Sequence, residues 1–556
     1  MKRLQVYLWL LAAALVAGIW FSPSGDEDEA PPVPIGTKPD ELRSAVPGPF
    51  PPPRDLRDRR KREDDFNARA SAPSPEELLT LLAASELKRK DLVLSFTDSA
   101  KAGDFAAEAP ARGIEIVAES GPLATLRVRL RDPIKAGKFL EERKDDLKME
   151  WNRPVWAPAH PRAEYLDGEK GFADQAADWL DVPPERSEWG RGVTVAVLDT
   201  GVNVDHPALK GAEVISIDLV GGPHGPDGAY LGHGTAVASL IAGSGEGVEG
   251  LAPAARILSV RVLDGQGGGD SFTVARGIVE AVDKGARVLN LSLGSASDSH
   301  VLQQAVDYAR SKGAVVVAAV GNKGVRGVTY PAGFEGVVGV TSVDAKGRQS
   351  AFANYGEGVD IAAPGVDVHA AWAGAERVSF SGTSSSTAFV SAALAAELSR
   401  NPELPGEQVV DLLYKYANEA EKPGLDPLTG NGVLNVGRIE NRQIPGIRDA
   451  AVVGYYFDPA ELKGGTTPFL VNVQNQGTEH LAGLTLEVEY GGLNRNFLIG
   501  SLSPGEVRSE KLYVDAATAA DPEGVRIRSA IKTPQGQDAK PDNDVRVSRI
   551  TLPSSR

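Results

Sequence analysis

Between residues 185 and 440, short apolar runs alternate with amphipathic segments of about ten residues or more. Runs such as 193–198 and 314–319 suit strands that are buried on both faces of a sheet. Their regular alternation with helices predicts an α/β domain with a parallel, doubly wound sheet. The predicted strands are 192–199, 256–263, 287–293, 314–320, 336–343 and 359–362, and the predicted helices are 234–243, 271–284, 300–312, 382–400 and 406–419. The α/β domain is placed at 185–440.

Two smaller domains with different patterns flank this region. Residues 76–158 are predicted to form a strand, a helix, two half-buried strands, a helix and a strand, the split β-α-β order of a small α+β domain. Residues 446–556 contain short alternating strands separated by turns with glycine and proline, which predicts an antiparallel β-sandwich. The polar stretch 159–184 is predicted to be a connecting segment.

The N-terminus has the pattern of an export signal. Lys2 and Arg3 precede an apolar run from Leu4 to Phe21, so residues 1–24 are predicted to be a signal peptide or an N-terminal membrane anchor. Residues 25–75 are rich in proline and charge and are expected to be a disordered linker. The predicted location is therefore extracellular, at the cell surface or periplasmic, with membrane contact only through the N-terminus.

Charge and composition exclude several classes of partner and of functional site. The chain has 59 basic and 75 acidic residues, a net charge of −16, which argues against nucleic acid as a partner. It has no cysteine, so disulfides, a thiol nucleophile and a zinc–thiolate site are all excluded. A nucleophile, if there is one, must come from another residue type.

Four side chains with useful chemistry stand where a parallel sheet opens its functional edge, at the carboxyl ends of strands. Asp199 ends a strand, His233 lies in a glycine-flanked loop before a helix, Asn322 follows a strand, and Ser384 lies at the start of a long Ala-rich helix. Taken singly, each has a commoner structural role, as a turn former, a loop histidine, a Gly-Asn turn or a helix cap. Together they supply a carboxylate, an imidazole, a carboxamide and a hydroxyl.

The segments around these residues resemble the subtilisin-like serine proteases. The similar segments are Val-Leu-Asp199-Thr-Gly, Gly-His233-Gly-Thr-Ala-Val-Ala, Ala-Ala-Val-Gly-Asn322 and Ser-Gly-Thr-Ser384. The resemblance implies that Ser384 is the nucleophile, His233 the general base and acid, and Asp199 the residue that orients the imidazole. It implies that the Asn322 carboxamide and the Ser384 backbone N–H stabilise the oxyanion.

The same resemblance implies a substrate-binding cleft in which a peptide adds a strand between two chain segments. One segment is Gly267, Gly268 and Gly269, and the other is Ser292, Leu293 and Gly294. The resemblance adds Ala319 and Gly321, which lie close to Asn322 in the sequence, to the substrate-binding set.

Two departures from the family pattern bear on the expected site. The usual Met-Ala-x-Pro after the nucleophile is replaced by Ser385-Ser-Thr-Ala388, which removes a proline from the helix start. In the family an acidic residue that ligates calcium often follows His-Pro, whereas Ala208 follows His206 and Pro207 here. No metal site and no cofactor are predicted, and calcium stays an open alternative.

The flanking domains also resemble domains of known types. The 76–158 domain is similar to the inhibitory prosegments of subtilases, which implies that it binds the cleft as an intramolecular inhibitor. The 446–556 domain looks like bacterial cell-adhesion-related Ig-like domains, with an unknown ligand. The prediction is an exported serine endopeptidase that acts on proteins or peptides and is made as a self-processing zymogen. The alternatives are a catalytically impaired surface binding protein and an adhesion protein in which proteolysis is incidental.

Overall fold

The structure is a computed structural model that describes residues 91–161, 163–221, 230–245, 247–457, 465–515, 524–534 and 538–550. The predicted signal or anchor at 1–24, the linker at 25–75 and the first part of the predicted 76–158 domain lie outside the described residues. Within the described ranges, no helix is both long enough and apolar enough to cross a membrane.

The central sheet has seven strands: β6 (Thr194–Asp199), β7 (Val214–Asp218), β10 (Arg256–Arg261), β12 (Val288–Leu291), β13 (Val315–Ala319), β14 (Val337–Val343) and β15 (Ile361–Pro364). All seven are parallel, in the order β15-β14-β13-β12-β6-β10-β7. The predicted parallel α/β fold is confirmed. The edge strand β7 was not predicted, because its apolar run Val-Ile-Ser-Ile is short and interrupted by a serine, and its side chains are half-buried or exposed, unlike the largely buried side chains of the other six strands.

Helices cover both faces of the sheet, which explains the continuous apolar runs. Along β6, Val195 and Val197 pack in one hydrophobic cluster, and Ala196 and Leu198 pack in the other. The helices are α5 (His233–Ala242), α6 (Ser271–Asp283), α7 (His300–Ser311), α8 (Thr383–Arg400), α9 (Gly406–Lys415) and α10 (Val436–Asn441). Helices α5, α8 and α9 cover the first face, and α6 and α7 cover the second.

One helix boundary shows how a tertiary contact limits a predicted element. The predicted helix 406–419 ends at Lys415, because Asn418 leaves the helix and exchanges backbone hydrogen bonds with Val433. Helix α8 is buried around most of its circumference, as expected for a helix that is apolar or small on every side. The additional helix α10 was not predicted.

The N-terminal domain has the predicted β-α-β-β-α-β order. Its elements are β1 (Asp91–Phe96), α1 (Ser99–Glu108), β2 (Ile114–Ser120), β3 (Thr125–Leu130), α2 (Pro133–Glu142) and β4 (Leu147–Trp151). The antiparallel sheet has the order β2-β3-β1-β4. Successive side chains of β1 point to opposite faces of the sheet. Leu92 and Leu94 pack inside this domain, whereas Val93 packs against the α/β domain.

Polar side chains of the N-terminal domain bind the starts of two helices in the α/β domain. The Glu150 carboxylate accepts hydrogen bonds from the backbone N–H of His300 (2.9 Å) and Val301 (2.7 Å) at the start of α7. The Asn152 side-chain oxygen accepts from the Phe272 N–H at the start of α6 (3.1 Å). The first N–H groups of a helix have no partner within the helix, so these contacts supply hydrogen-bond acceptors that the helix itself cannot provide.

After β4 the chain continues into β5 (Pro154–Trp156), which pairs with β11 (Gly268–Asp270) in the α/β domain. The following segment contains two short helices, α3 (Ala163–Leu166) and α4 (Ala176–Trp179). This segment is not a free connector, because Phe172 and Leu180 are buried in the α/β core. A hairpin of β16 (Val368–Ala371) and β17 (Arg377–Phe380) precedes α8, and a small hairpin of β8 (Ser244–Gly245) and β9 (Val248–Glu249) follows α5.

The C-terminal region forms two antiparallel sheets that share one hydrophobic core. The strands are β18 (Ala450–Phe457), β19 (Thr466–Asn475), β20 (Leu481–Tyr490), β21 (Leu493–Leu502), β22 (Val507–Asp515), β23 (Val525–Lys532) and β24 (Val545–Ile550). The predicted β-sandwich is confirmed, while its Ig-like type stays a prediction. Arg546 connects the sandwich to the α/β domain: its guanidinium donates to the carbonyl oxygens of Val453 and Lys346.

Candidate active site

The four predicted residues meet at one edge of the central sheet. Asp199 is the last residue of β6, and Asn322 lies three residues beyond the end of β13. His233 is the first residue of α5 and Ser384 is the second residue of α8. Because parallel strands end at the same edge and the helices that follow begin there, residues far apart in the sequence come together.

Asp199, His233 and Ser384 form a continuous hydrogen-bonded chain. His233 Nδ1 lies 2.9 Å from both carboxylate oxygens of Asp199, and His233 Nε2 lies 3.1 Å from Ser384 Oγ. All three residues are at most 1% exposed. The carboxylate can only accept, so Nδ1 carries the proton toward Asp199 and leaves Nε2 free to accept the proton of the Ser384 hydroxyl.

Asn322 is oriented by the residue before the candidate nucleophile. Its side-chain oxygen accepts hydrogen bonds from the backbone N–H (3.0 Å) and the hydroxyl (2.9 Å) of Thr383. The amide nitrogen therefore points the other way, where it donates to the backbone carbonyl of Ala159 at 2.8 Å. Sequence reasoning missed this role of Thr383, although Thr383 stands inside the Gly-Thr-Ser motif.

The backbone turn before Ser384 requires a glycine. Gly382 has a φ of +151°, and a Cβ at this position would come within 2.9 Å of Asn322 Nδ2. A side chain here would both strain the backbone and displace the amide that faces Ala159.

The altered segment after Ser384 keeps the helix start intact. Helix α8 begins at Thr383 without a proline in its first turn. The hydroxyl of Ser386 donates to the carbonyl oxygens of Ala363 (3.0 Å) and Pro364 (3.1 Å), and that of Thr387 donates to the Thr383 carbonyl (2.7 Å). Local hydroxyl contacts thus fix the first turn of α8 to the end of β15.

The predicted cleft is occupied by the chain's own segment β5. Trp156 exchanges two backbone hydrogen bonds with Gly294 (3.0 and 2.8 Å), and on the other side Ala157 donates to the Gly267 carbonyl (2.8 Å). In β11, Gly268 pairs with Trp156 and Gly269 with Val155. Four of the predicted substrate-binding residues therefore contact an extended peptide in the added-strand manner.

The other predicted substrate-binding residues lie around this cleft without a strand bond to β5. The Ser292 hydroxyl donates to the Ser384 carbonyl (3.2 Å), and Leu293 is buried in the apolar core. The Ala319 carbonyl accepts from the Thr329 hydroxyl (2.9 Å), and the Gly321 N–H donates to the Thr383 hydroxyl (3.3 Å). The contacts of these residues stabilise the walls of the cleft and do not involve β5 directly.

Two positions in the cleft require glycine because neighbouring atoms lie too close for a side chain. A Cβ at Gly268 would come within 2.8 Å of the Trp156 ring, and a Cβ at Gly294 would come within 2.6 Å of Thr329 Cβ. A side chain at either position would push the bound strand or the cleft wall out of place.

An aromatic group beside the site was not predicted. The His160 ring stacks on Tyr230, with ring centres 5.0 Å apart and planes 11° from parallel, and lies 5.8 Å from the Trp372 ring. His160 Nε2 is shielded from solvent and has no hydrogen-bond partner among the described residues. Burial, and then the charge of His233, lower the pKa of His160 to about 4. No family motif marks these positions, so only the tertiary structure identifies them.

The position expected to lack a calcium ligand is apolar and enclosed. Ala208 is fully buried, and its N–H donates to His206 Nδ1 (3.0 Å). In the described part of the chain, no group of three or more His, Cys, Asp or Glu residues is arranged to hold a metal ion. The expectation that no cofactor is needed stays a prediction.

Comparison with known proteins agrees with this geometry. Residues 190–432 match the profile of the Subtilase family of S8 peptidases. The chain is 40% identical over 258 residues to the thermostable alkaline protease of Halalkalibacterium halodurans, covering 46% of this chain and 69% of that protein. It is 40% identical over 251 residues to subtilisin Savinase of Lederbergia lenta, covering 44% of this chain and 90% of that protein.

A third relative is thermitase of Thermoactinomyces vulgaris, at 43% identity over 204 residues, 36% of this chain and 73% of that protein. A solved structure of a mutant of the protease domain of PatA is 30% identical; the match covers 46% of this chain and 97% of that one, with a TM-score of 0.42. Relatives at 40% identity over most of their length, together with the matched profile, show the family. The chain belongs to the subtilase family of serine endopeptidases.

Proposed function

We propose that Asp199, His233 and Ser384 are the catalytic triad of this endopeptidase and that Ser384 forms an acyl-enzyme with the substrate. The observation that carries the proposal is the unbroken contact from Asp199 through His233 to Ser384 Oγ, with all three residues buried. A serine hydroxyl is a weak nucleophile by itself, and an adjacent oriented base is what activates it.

In the proposed reaction, Ser384 Oγ attacks the carbonyl carbon of the scissile bond while His233 Nε2 takes the hydroxyl proton. The Asp199 carboxylate stabilises the imidazolium that forms. The negative charge on the carbonyl oxygen is stabilised by Asn322 Nδ2 and by the Ser384 N–H at the positive end of α8. His233 then gives the proton to the leaving amine, and a water molecule hydrolyses the ester by the same steps in reverse.

The family membership means that the substrates are proteins or peptides, and we propose that they bind as β5 does. Backbone hydrogen bonds to Gly294 and Gly267 do not depend on the side chains of the peptide. An enzyme that binds its substrate mainly through the backbone accepts many sequences, with selectivity left to the pockets beside the strand.

We also propose that the N-terminal domain is an intramolecular inhibitor, so that the chain is made as a zymogen. The support is that β5 fills the cleft while Glu150 and Asn152 hold the domain on the starts of α7 and α6. Such a domain would also assist folding, because a parallel sheet with distant strand partners forms slowly. Export is proposed from the sequence pattern of residues 1–24, which lie outside the described residues.

A fluorophosphonate probe tests the triad against the alternative of a catalytically impaired binding protein. We expect the mature wild type to be labelled and Ser384→Ala to remain unlabelled. Asp199→Asn should lower kcat by about 10⁴-fold, because the imidazole loses the carboxylate that fixes its tautomer. Asp205→Asn, a change at an exposed carboxylate six residues further along, is the matched control and should leave kcat within about twofold. Failure of the mature wild type to react would favour the binding protein.

The role of Asn322 is tested by replacing its amide. Asn322→Ala should lower kcat about 100-fold with little change in KM, which corresponds to about 3 kcal/mol of lost transition-state stabilisation. The exposed Asn494, in the sandwich, provides the control Asn494→Ala. A rise in KM with kcat unchanged would instead show that Asn322 acts in substrate binding alone.

The lowered pKa of His160 predicts that acid loosens the strand in the cleft. The ring must be neutral to remain buried, so docking is fully stable above the ordinary pKa of 6.5 and weakens as the pH falls toward about 4. In a Ser384→Ala chain, hydrogen-exchange protection of the Trp156 and Ala157 amides, corrected for intrinsic rates, should fall about 30-fold between pH 7.5 and pH 5. The change His160→Phe keeps a stacked ring without a titrating group.

The His160→Phe variant distinguishes the effect of the imidazole on exchange protection from the effects of other titrating groups at the same interface. The pKa of Glu150 is raised by burial, so its protonation at low pH would act in the opposite direction. Protection in His160→Phe should therefore not fall over this pH range. An equal fall in both proteins would exclude His160 as the cause.

A further inference from the structure

We infer that the bond between Ala159 and His160 is the bond that this enzyme cleaves in its own chain. The inference rests on the proposed function of Ser384 and deepens it, because it selects one peptide bond from the whole connecting region. Three observations carry it: the position of the Ala159 carbonyl, the strand pairing that precedes it, and the placement of the His160 ring.

The Ala159 carbonyl occupies the position of a reacting group. Its oxygen accepts a hydrogen bond of 2.8 Å from Asn322 Nδ2, the amide that Thr383 aims into the cleft. A donor of an oxyanion site acts on the carbonyl whose oxygen will move into its hydrogen-bonding reach as the negative charge develops. This contact marks the carbonyl of residue 159 as the one presented to Ser384.

The strand that leads to Ala159 is held from both sides. Trp156 pairs with Gly294, and Ala157 with Gly267, so the chain enters the site in an extended form. Pro158 has no N–H and cannot continue the antiparallel ladder toward Ser292. The ladder therefore ends one residue before Ala159, and the chain is released to turn its next carbonyl toward Asn322.

The residue after the proposed bond is held by an aromatic clamp formed by Tyr230 and Trp372. The His160 ring is nearly parallel to Tyr230 at 5.0 Å and lies 5.8 Å from Trp372, and Tyr230 in turn lies 5.9 Å from the His233 ring. The new amine would thus form beside the imidazole that must protonate it. The clamp selects a flat, uncharged side chain on the leaving-group side.

The step balances without any added reagent except water. Ser384 Oγ bonds to the Ala159 carbonyl carbon and its proton passes to His233. The bond to the His160 nitrogen then breaks, and that nitrogen receives the proton. Water cleaves the ester between Ala159 and Ser384, which leaves a carboxylate on Ala159 and restores the serine hydroxyl.

The fragment that begins at His160 remains attached to the catalytic domain. Phe172 donates a backbone hydrogen bond to the Val366 carbonyl (3.0 Å), and Leu180 is fully buried. Tyr165 is also buried, against Phe352 and Val366, so cleavage frees only the few residues between His160 and Tyr165. On the other side, the Glu150 contacts do not involve the cleaved bond, so we expect the N-terminal domain to stay docked and to inhibit after the cut.

N-terminal sequencing of the full chain, sampled early during expression, tests the inference. The first new N-terminus should be His160-Pro161 in the wild type, and Ser384→Ala should show no new N-terminus. Fluorophosphonate labelling of the same preparations after full maturation, when the N-terminal domain has left the cleft, tests separately whether Ser384 is reactive. Labelled protein whose first new N-terminus was another residue would overturn the inference and leave the proposed function standing. Absence of both labelling and processing would overturn both.

Two substitutions at one position test the clamp. His160→Phe keeps a flat apolar ring and should be processed at a rate within about threefold of the wild type. His160→Gly removes the ring from the clamp and should slow processing about tenfold or more, while Ser384 in the product is labelled normally. Equal processing rates for the two variants would show that the clamp does not select the bond.

Discussion

The buried contact between the Asp199 carboxylate and the His233 imidazole is the constraint on which the site depends. A carboxylate with no exposure to solvent is costly unless its oxygens accept hydrogen bonds, and here the Thr200 N–H and His233 provide them. Because the carboxylate fixes one nitrogen of the ring, the other nitrogen is left to face Ser384. The end of β6 and the starts of α5 and α8 must therefore keep their relative positions for the chemistry to be available.

A second constraint comes from the open backbone edges of the cleft. The segments at Gly267–Gly269 and at Gly294 present backbone donors and acceptors that need partners, and an extended peptide supplies them. The chain's own β5 satisfies this need before any substrate arrives. The strand pairing that we propose for substrate thus also holds the N-terminal domain in the cleft, and the contacts of Glu150 and Asn152 add independent support away from it.

Much of the fold could be predicted because the central strands are buried on both faces and their apolar runs are unmistakable. The edge strand β7 could not, since its apolar run is short and interrupted by a serine and its side chains are only partly buried. The four site residues could be found from motifs in the expected order along the chain. The contact of Ala159 with Asn322, the stacking of His160 on Tyr230 and the support from Thr383 depend on register and side-chain packing, which no local pattern encodes.

A double-mutant comparison of Asp199→Asn and Ser384→Ala on a peptide substrate gives the sharpest test of the proposed relay. If the two residues act through His233 as one unit, the double variant should be no slower than Ser384→Ala alone, because the function of the carboxylate is lost once the nucleophile is absent. If the two rate losses multiply instead, Asp199 and Ser384 act independently, and the proposed relay is wrong.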